Sequence, residues 1–218
     1  MQMKKAVIFD LDGTLTDSIA SIKISADKTM EKYGFGPFTE DEYKYFVGDG
    51  AAVLIERCLK AGGDTTLQYL EEAYREYQKI FEEYCMYRVE PYRGIRELLT
   101  ALKEKGVKRA VLSNKPHPRT LDVISTIFGD ACFDVVRGQM DNVPKKPSPE
   151  GVFKIAEELS VEPKDILYLG DTGTDMQTGK RAGAFTVGAL WGFRKKEELL
   201  ENGADAVIEN PLQLLDYL

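Results

Sequence analysis

Short apolar runs alternate with amphipathic helical patterns through most of this 218-residue sequence, and no other feature constrains its fold as strongly. Six runs have the length and composition of buried strands, at residues 6–10, 109–114, 132–138, 165–171, 184–190 and 204–209. Between the later runs, apolar residues recur at helical spacing, as in Ile95, Leu98 and Leu102. This alternation predicts an α/β fold, with a doubly wound parallel (Rossmann-like) sheet and helices on both of its faces.

Residues 17–90 interrupt the alternation with helical patterns alone. Leucine and tyrosine recur at three- and four-residue steps from 67 to 84, which is typical of helix–helix packing. The sequence therefore predicts an α/β core that is discontinuous in the chain, made of residues 1–16 and 91–218. An all-α domain at 17–90 is inserted into it after the first strand.

Composition and charge exclude several classes of protein. The formal net charge is −7 and there is no long basic run, which argues against nucleic acid or an anionic membrane as a partner. The cysteines Cys58, Cys85 and Cys132 are scattered and odd in number, as expected for a reducing compartment. The sequence also lacks a signal-type start and a run of about 20 apolar residues, so we expect a cytoplasmic protein. As to its assembly, we expect a monomer or a homodimer.

The first apolar run ends in two acids, Asp10 and Asp12, which are followed at once by Gly13 and Thr14. Two neighbouring carboxylates repel each other, and moving a carboxylate out of water is costly unless a partner compensates its charge. In an open parallel sheet, ligands bind beyond the carboxyl ends of the strands. We therefore expect these acids to hold something positive.

Other polar residues lie at corresponding positions. Ser113 and Asn114 end the second run, Asp171 ends the fourth with Asp175 four residues further on, and Lys145 and Lys146 precede a later helix. A few oxygen ligands suit Mg²⁺, whose coordination a substrate phosphate usually completes. A carboxylate can also attack phosphorus, while a hydroxyl, backbone amides and a lysine hold the phosphoryl oxygens. The pattern predicts phosphoryl transfer.

Four segments, "DLDGTLTDS", "LSNK", "KPSPE" and "GDTGTDM", occur in this order and resemble the four motifs of the haloacid dehalogenase superfamily. The resemblance spans nearly the whole chain. It implies that Asp10 is the phosphorylated nucleophile and Asp12 the general acid and base. It also implies that the segment 17–90 is a mobile cap that opens for substrate and closes to exclude water.

The same resemblance assigns the remaining positions of the four segments. The residues implied to bind the substrate phosphate are Gly13, Thr14, Ser113, Asn114 and Lys146. The Mg²⁺ ligands are the carboxylates of Asp10 and Asp171 and the backbone carbonyl of Asp12, and Asp175 supports them. Lys146 is preferred over Lys145 because it directly precedes a proline, as the family pattern requires.

An aspartate at position 12 favours phosphate chemistry, because the superfamily members that cleave carbon–halogen bonds lack it. The stretches 46–59, 112–117 and 169–183 are most similar to phosphoglycolate phosphatases. The predicted function is thus a Mg²⁺-dependent phosphatase of small phosphorylated metabolites. Its expected substrate is 2-phosphoglycolate or a similar short phosphorylated acid, and its intermediate an aspartyl-phosphate.

Three alternatives stay open. A phosphomutase would carry a basic residue in the cap loop, but "VGDGAA" (47–52) contains no Arg or Lys. A phosphonate-cleaving relative needs a cap lysine that forms a Schiff base, and Lys44 is the nearest candidate. A signalling module phosphorylated on aspartate would have similar acids, without a helical insert.

Two further polar residues have competing interpretations. His117, the single histidine, could contact substrate at the rim of the site, but a surface-loop position is favoured. Asp49 lies between two glycines and belongs either to a loop that faces the active site or to a plain turn between helices.

Overall fold

The computed structural model describes residues 4–141 and 143–218. The chain divides into two compact units, one formed by Met1–Thr16 with Pro91–Leu218 and the other by Asp17–Glu90. The chain passes from one unit to the other within two short strands, which are β2 (Thr16–Asp17) and β3 (Glu90–Pro91).

A six-stranded sheet forms the centre of the first unit. Its strands are β1 (Ala6–Phe9), β4 (Lys108–Pro116), β5 (Val135–Gln139), β6 (Ile166–Gly170), β7 (Phe185–Ala189) and β8 (Ala206–Ile208). They lie in the order β5-β4-β1-β6-β7-β8, and each neighbouring pair is parallel. The strand order reverses at β1, as in classical doubly wound sheets. The predicted fold class is confirmed.

Helices cover this sheet. They are α5 (Ile95–Glu104), α6 (His117–Phe128), α7 (Glu150–Leu159), α8 (Gly173–Ala182) and α9 (Lys196–Glu201), with 3₁₀ helices at Pro163–Asp165 and Pro211–Tyr217. Buried side chains of α7 and α8 pack in one cluster with inward-facing residues of the central strands, such as Ile8 and Tyr168. The register of β1 places Ile8 opposite Ala110 on one side and Tyr168 on the other. All four residues of β1 are fully buried, which explains why the strand is apolar without alternation.

Two apolar residues of α6 and α7 are exposed, although each lies three residues from a buried apolar neighbour on its helix. Phe153 in α7 is 45% exposed and Leu121 in α6 is 43% exposed. In α7 the buried stripe includes Val152, Ile155 and Leu159, which are three or four residues apart. Phe153 lies about 100° away from Val152 around the helix and therefore points outward.

The second unit consists of helices. They are α1 (Ile19–Glu31), α2 (Glu40–Phe46), α3 (Ala51–Gly62) and α4 (Leu70–Tyr84). Thr39 and Glu42 form a capping box at the start of α2. Tyr43 is fully buried, and its hydroxyl donates a hydrogen bond to Asp27 at 2.7 Å, which joins α2 to α1.

No helix in the described ranges has the length and apolar character that crossing a membrane requires. Cys58, Cys85 and Cys132 are all free thiols.

Candidate active site

The site lies in the first unit, at the edge of the sheet where the parallel strands end, which we call the carboxyl edge. Asp10 directly follows β1, and Asp171 directly follows the neighbouring strand β6. The Asp10 N–H donates to the carbonyl of Leu169 at 2.9 Å, so the ladder between the two strands continues to Asp10. These two strands flank the point at which the strand order reverses, where open α/β sheets bind their ligands.

A tight turn follows Asp10. The carbonyl of Leu11 accepts hydrogen bonds from the N–H groups of Leu15 and Thr16, both at 3.0 Å. Gly13 has φ of +94°, and a Cβ at this position would lie 2.3 Å from Oδ2 of Asp171. Glycine is therefore required here both by the backbone conformation and by the close approach of the acid.

Three buried carboxylates meet at the carboxyl edge. Asp10, Asp171 and Asp175 each offer an oxygen within 4.8 Å of the others. Lys146 is 4% exposed, and its Nζ donates to Asp10 and to Asp175, both at 2.7 Å. When all three carboxylates are ionised, they and the one ammonium leave two negative charges, which is the charge that one bound divalent cation balances. The oxygen donors and this charge fit Mg²⁺.

Burial and the close approach of the acids also shift the pKa values of these groups. Burial, reinforced by the charge of Asp175, raises the pKa of Asp10 well above its usual range, although Lys146 opposes the shift. Burial also raises the pKa of Asp171 from 3.8 to about 7, against the hydrogen bonds from Phe193 and Thr14. Burial alone would lower the pKa of Lys146, but the charges of Asp10 and Asp175 raise it. Without a cation the cluster therefore tends to retain protons.

This shift predicts a pH-dependent stability of the metal-free protein. Between pH 3.8 and about 7, folded Asp171 binds a proton that the unfolded chain has lost, so stability falls as the pH rises through this window. From pH 6 to pH 8 we expect the melting temperature in EDTA to fall by about 3–5 °C. Thermal unfolding at both pH values measures this difference.

Asp171→Asn is the control for this experiment, because it removes one titrating group and should reduce the difference in melting temperature, while Asp10, whose pKa burial also raises, still contributes. Mg²⁺ should stabilise the wild type more at pH 8 than at pH 6, since at pH 8 Asp171 has already lost the proton that the cation would otherwise displace. An equal change in melting temperature between pH 6 and pH 8 in wild type and Asp171→Asn would contradict the assignment of the pH effect to Asp171.

Asp175 and Thr172 begin α8 as a capping box. Oδ2 of Asp175 accepts from the N–H of Thr172 at 3.1 Å and from its hydroxyl at 2.6 Å, while Oδ1 faces Lys146. The helix start therefore fixes the Asp175 carboxylate, which in turn holds the lysine.

Asn114 fixes the segment that carries Lys146. Its side-chain oxygen accepts from the N–H of Lys146 at 2.9 Å, and its amide nitrogen donates to the Lys146 carbonyl at 3.2 Å. The buried hydroxyl of Ser113 accepts the N–H of Lys115 at 3.1 Å. Lys145 is exposed, whereas its neighbour Lys146 points into the acid cluster.

Thr14 and Asp12 have different partners. The Thr14 hydroxyl donates to Oδ1 of Asp171 at 2.8 Å. The carboxylate of Asp12 pairs instead with Lys115, whose Nζ lies 2.9 Å from Oδ1 and 3.2 Å from Oδ2. Lys115 belongs to "LSNK", but sequence reasoning assigned no role to it; its place at a strand end was the available signal.

Sequence reasoning also missed the segment after β7. The N–H of Phe193 donates to Oδ2 of Asp171 at 2.8 Å, and the Trp191 indole N–H donates to the carbonyl of Thr14 at 2.9 Å. A Cβ on Gly192 would lie 2.4 Å from the Gly13 carbonyl oxygen. This segment fixes both the second acid and the turn after the first. Like the other site residues, it follows a parallel strand, and that position could have identified it.

His117 is not a loop residue. It is the first residue of α6, half-buried, and its Nδ1 accepts the N–H of Gly138 at 3.1 Å. The surface-loop interpretation was therefore wrong: the side chain joins the start of this helix to β5.

In the second unit, Asp49 accepts a hydrogen bond from Arg57 at 2.5 Å. Arg57 also donates to the carbonyls of Tyr45 and Phe46. The segment 47–52, which has no Arg or Lys of its own, therefore has a cationic side chain from α3 beside it. Lys44 forms ion pairs with Glu40 at 3.1 Å and Asp41 at 3.3 Å. The hydrogen bond to Glu40 raises the pKa of Lys44, which opposes the neutral amine that a Schiff base needs.

Known proteins similar to this chain agree on one family. The model of the haloacid dehalogenase-like hydrolases matches residues 7–189. A phosphoglycolate phosphatase of Aquifex aeolicus is 36% identical over 191 residues, covering 88% of this chain and 87% of the relative. An N-acetylmuramic acid 6-phosphate phosphatase of Pseudomonas aeruginosa is 30% identical and covers 98% of this chain and 94% of its own length.

A solved structure extends the likeness to the fold. The crystal structure of a candidate phosphoglycolate phosphatase from Lactobacillus delbrueckii superposes with a TM-score of 0.93 and 27% identity, covering 99% of this chain and 98% of that chain. The family motifs, the sheet and the full-length relatives are thus consistent with one another. The chain belongs to the haloacid dehalogenase-like hydrolases, as an enzyme similar to phosphoglycolate phosphatases.

Proposed function

We propose that this enzyme is a Mg²⁺-dependent phosphatase of small phosphate monoesters and that it works through an aspartyl-phosphate on Asp10. The observation that carries the proposal is the buried cluster of Asp10, Lys146, Asp171 and Asp175 at the carboxyl edge. A buried acid cluster with two uncompensated charges destabilises the fold, so the arrangement favours a functional role over a purely structural one.

The metal ligands in this proposal are the carboxylates of Asp10 and Asp171 and the backbone carbonyl of Asp12. Thr14 and Phe193 orient Asp171 through the hydrogen bonds described above, and Asp175 supports the cluster through Lys146. Mg²⁺ bound there would draw the substrate phosphate towards the nucleophile and offset the charge on its oxygens.

The chain's own groups carry the two chemical steps. An oxygen of Asp10 forms a bond to phosphorus while the bond to the ester oxygen breaks, and Asp12 gives its proton to the leaving alcohol. Water then attacks the phosphorus and Asp12 takes its proton, which releases inorganic phosphate and restores the Asp10 carboxylate. Ser113, Lys146 and the amides of the turn at Gly13 and Thr14 hold the phosphoryl oxygens.

The substrates named for the relatives suggest a substrate class. Phosphoglycolate and N-acetylmuramic acid 6-phosphate are both phosphate monoesters of a carboxylic acid. We propose the same class for this enzyme, with 2-phosphoglycolate as the first candidate and N-acetylmuramic acid 6-phosphate as the second. In this proposal the unit Asp17–Glu90 is the cap, which selects the part of the substrate beyond the phosphate.

A panel of matched esters tests the proposal. We expect 2-phosphoglycolate to be hydrolysed with a kcat/KM at least about 10-fold above that of ethyl phosphate, which lacks the carboxylate. N-acetylmuramic acid 6-phosphate is compared with N-acetylglucosamine 6-phosphate in the same way. Replacing Mg²⁺ by EDTA should abolish phosphate release from every ester, and added Mg²⁺ should restore it.

Each alternative has its own outcome in this panel. Transfer of phosphate between positions of a hexose phosphate without release would indicate a phosphomutase, and turnover of phosphonates would indicate a carbon–phosphorus hydrolase. A single phosphorylation of the protein without turnover would indicate a signalling module. Mg²⁺-independent release of phosphate from all esters would contradict the metal site.

A further inference from the structure

Asp12 is two residues from the nucleophile position, yet its carboxylate does not join the acid cluster. Among the described residues, the groups that converge there are Asp10, Asp171 and Asp175. Both oxygens of Asp12 face the Nζ of Lys115, at 2.9 and 3.2 Å. The Lys115 side chain is 3% exposed and that of Asp12 is 19% exposed. Lys146 thus pairs with Asp10 and Asp175, and Lys115 pairs with Asp12. Asp171 accepts hydrogen bonds from Thr14 and Phe193 instead.

The backbone of Lys115 is itself fixed. Its N–H donates to the hydroxyl of Ser113 at 3.1 Å, and its carbonyl accepts the hydroxyl of Thr120 at 3.2 Å. Gly138 on the adjacent strand β5 packs closely, because a Cβ there would lie 2.7 Å from the Lys115 carbonyl oxygen. The ammonium group is therefore attached to a well-fixed strand end. A fixed group loses little conformational entropy when it orders its partner, which here is the Asp12 carboxylate.

The pairing with Lys115 keeps the Asp12 carboxylate from binding a cation held by the other acids. A flexible aspartate next to a site with two uncompensated negative charges would be drawn to any cation bound there, and its side chain would then be lost for proton transfer. An ammonium that contacts both oxygens holds the carboxylate in one rotamer, outside the group of three converging acids. Only the backbone carbonyl of Asp12 then remains for the cation.

We propose that Lys115 is a positioning residue that holds the Asp12 carboxylate in place for proton transfer to the leaving oxygen. This inference rests on the proposed phosphatase function. It predicts an effect that depends on the leaving group: an alcohol must be protonated as the P–O bond breaks, whereas 4-nitrophenolate leaves without a proton. The value of kcat/KM reports this first step, up to formation of the aspartyl-phosphate.

The test compares kcat/KM for the best alkyl phosphate of the panel with that for 4-nitrophenyl phosphate. In Lys115→Met we expect a loss of about 100-fold for the alkyl ester and less than about 5-fold for the aryl ester. Lys115→Arg keeps the cation and should hold the ratio of the two values within about 3-fold of wild type. Lys108→Met, at the other end of the same strand, should not change the ratio.

Equal losses on both esters in Lys115→Met would overturn the proposal, because a role in folding or phosphate binding affects both alike. An unchanged alkyl rate would overturn it as well. If Lys115→Met does not fold, Lys115→Gln is read by the same criteria. A wild type inactive on every ester would instead refute the phosphatase function itself, and this inference with it.

Discussion

Asp10→Asn should lower phosphate release by at least about 10⁴-fold, the largest effect we expect of any single substitution. An amide cannot attack phosphorus to form the acyl-phosphate, and it is a weaker ligand for a divalent cation. The measurement is steady-state release of phosphate with Mg²⁺ present, together with mass spectrometry of acid-quenched protein. The wild type should gain the mass of one phosphoryl group during turnover, and the variant should not.

A stability measurement distinguishes loss of the proposed nucleophile from loss of the fold. Burial and the charge of Asp175 raise the pKa of Asp10, so a neutral amide removes repulsion from the cluster. We therefore expect the melting temperature of Asp10→Asn in EDTA at pH 8 to equal or exceed that of the wild type. Asp130→Asn, an exposed aspartate of the same unit, should keep full activity. Substantial turnover by pure Asp10→Asn would refute the role of Asp10.

Lys146→Met should lower kcat by about 10³-fold and destabilise the metal-free protein by about 3–5 kcal/mol at pH 8. The substitution keeps the length of the side chain but leaves Asp10 and Asp175 without the ammonium that donates to both at 2.7 Å. Because the remaining charge is more negative, Mg²⁺ should raise the melting temperature of the variant by more than it raises that of the wild type. Kinetics and thermal unfolding with and without Mg²⁺ measure these effects.

The neighbouring residue provides a matched control. Lys145→Met makes the same chemical change one position earlier, on an exposed side chain, and should alter stability by less than about 0.5 kcal/mol. Comparable losses of kcat and of stability in the two variants would mean that the loop tolerates no change in this region. That result would contradict a specific role for Lys146.

Much of the sheet could be predicted from the sequence. Each of the six apolar runs overlaps a strand of the sheet, because strands buried on both faces, like β1, are continuous apolar runs. Helix α3 was not predicted, since two glycines precede it and no capping residue marks its start; its N-cap is Gly50. Phe153 shows a second limit, because apolar character alone does not decide which side of a helix faces the core.

The site was predictable only in its residue types and their order. Position at a strand end identifies Asp10 and Asp171 as neighbours, because parallel strands carry their last residues to one edge. The pairing of lysines with acids depends on side-chain directions, which sequence spacing does not encode. The ion pair of Lys115 with Asp12 is therefore visible only in the structure. The contribution of Trp191 and Phe193 was missed because their main-chain and indole N–H groups, rather than an acidic or basic side chain, make the contacts.

The central position of β1 has a consequence for how the chain acquires its structure during synthesis. Phe9 pairs with Val111 and with Leu169, so the earliest strand to leave the ribosome obtains both neighbours only when most of the polypeptide exists. The helices between Asp17 and Glu90 pack with one another within one contiguous segment, so this unit can form before the later strands of the sheet have been made. The strand that leads to Asp10 thus gains its second neighbour late in synthesis, and until then an apolar β-strand is exposed to aggregation and to chaperones.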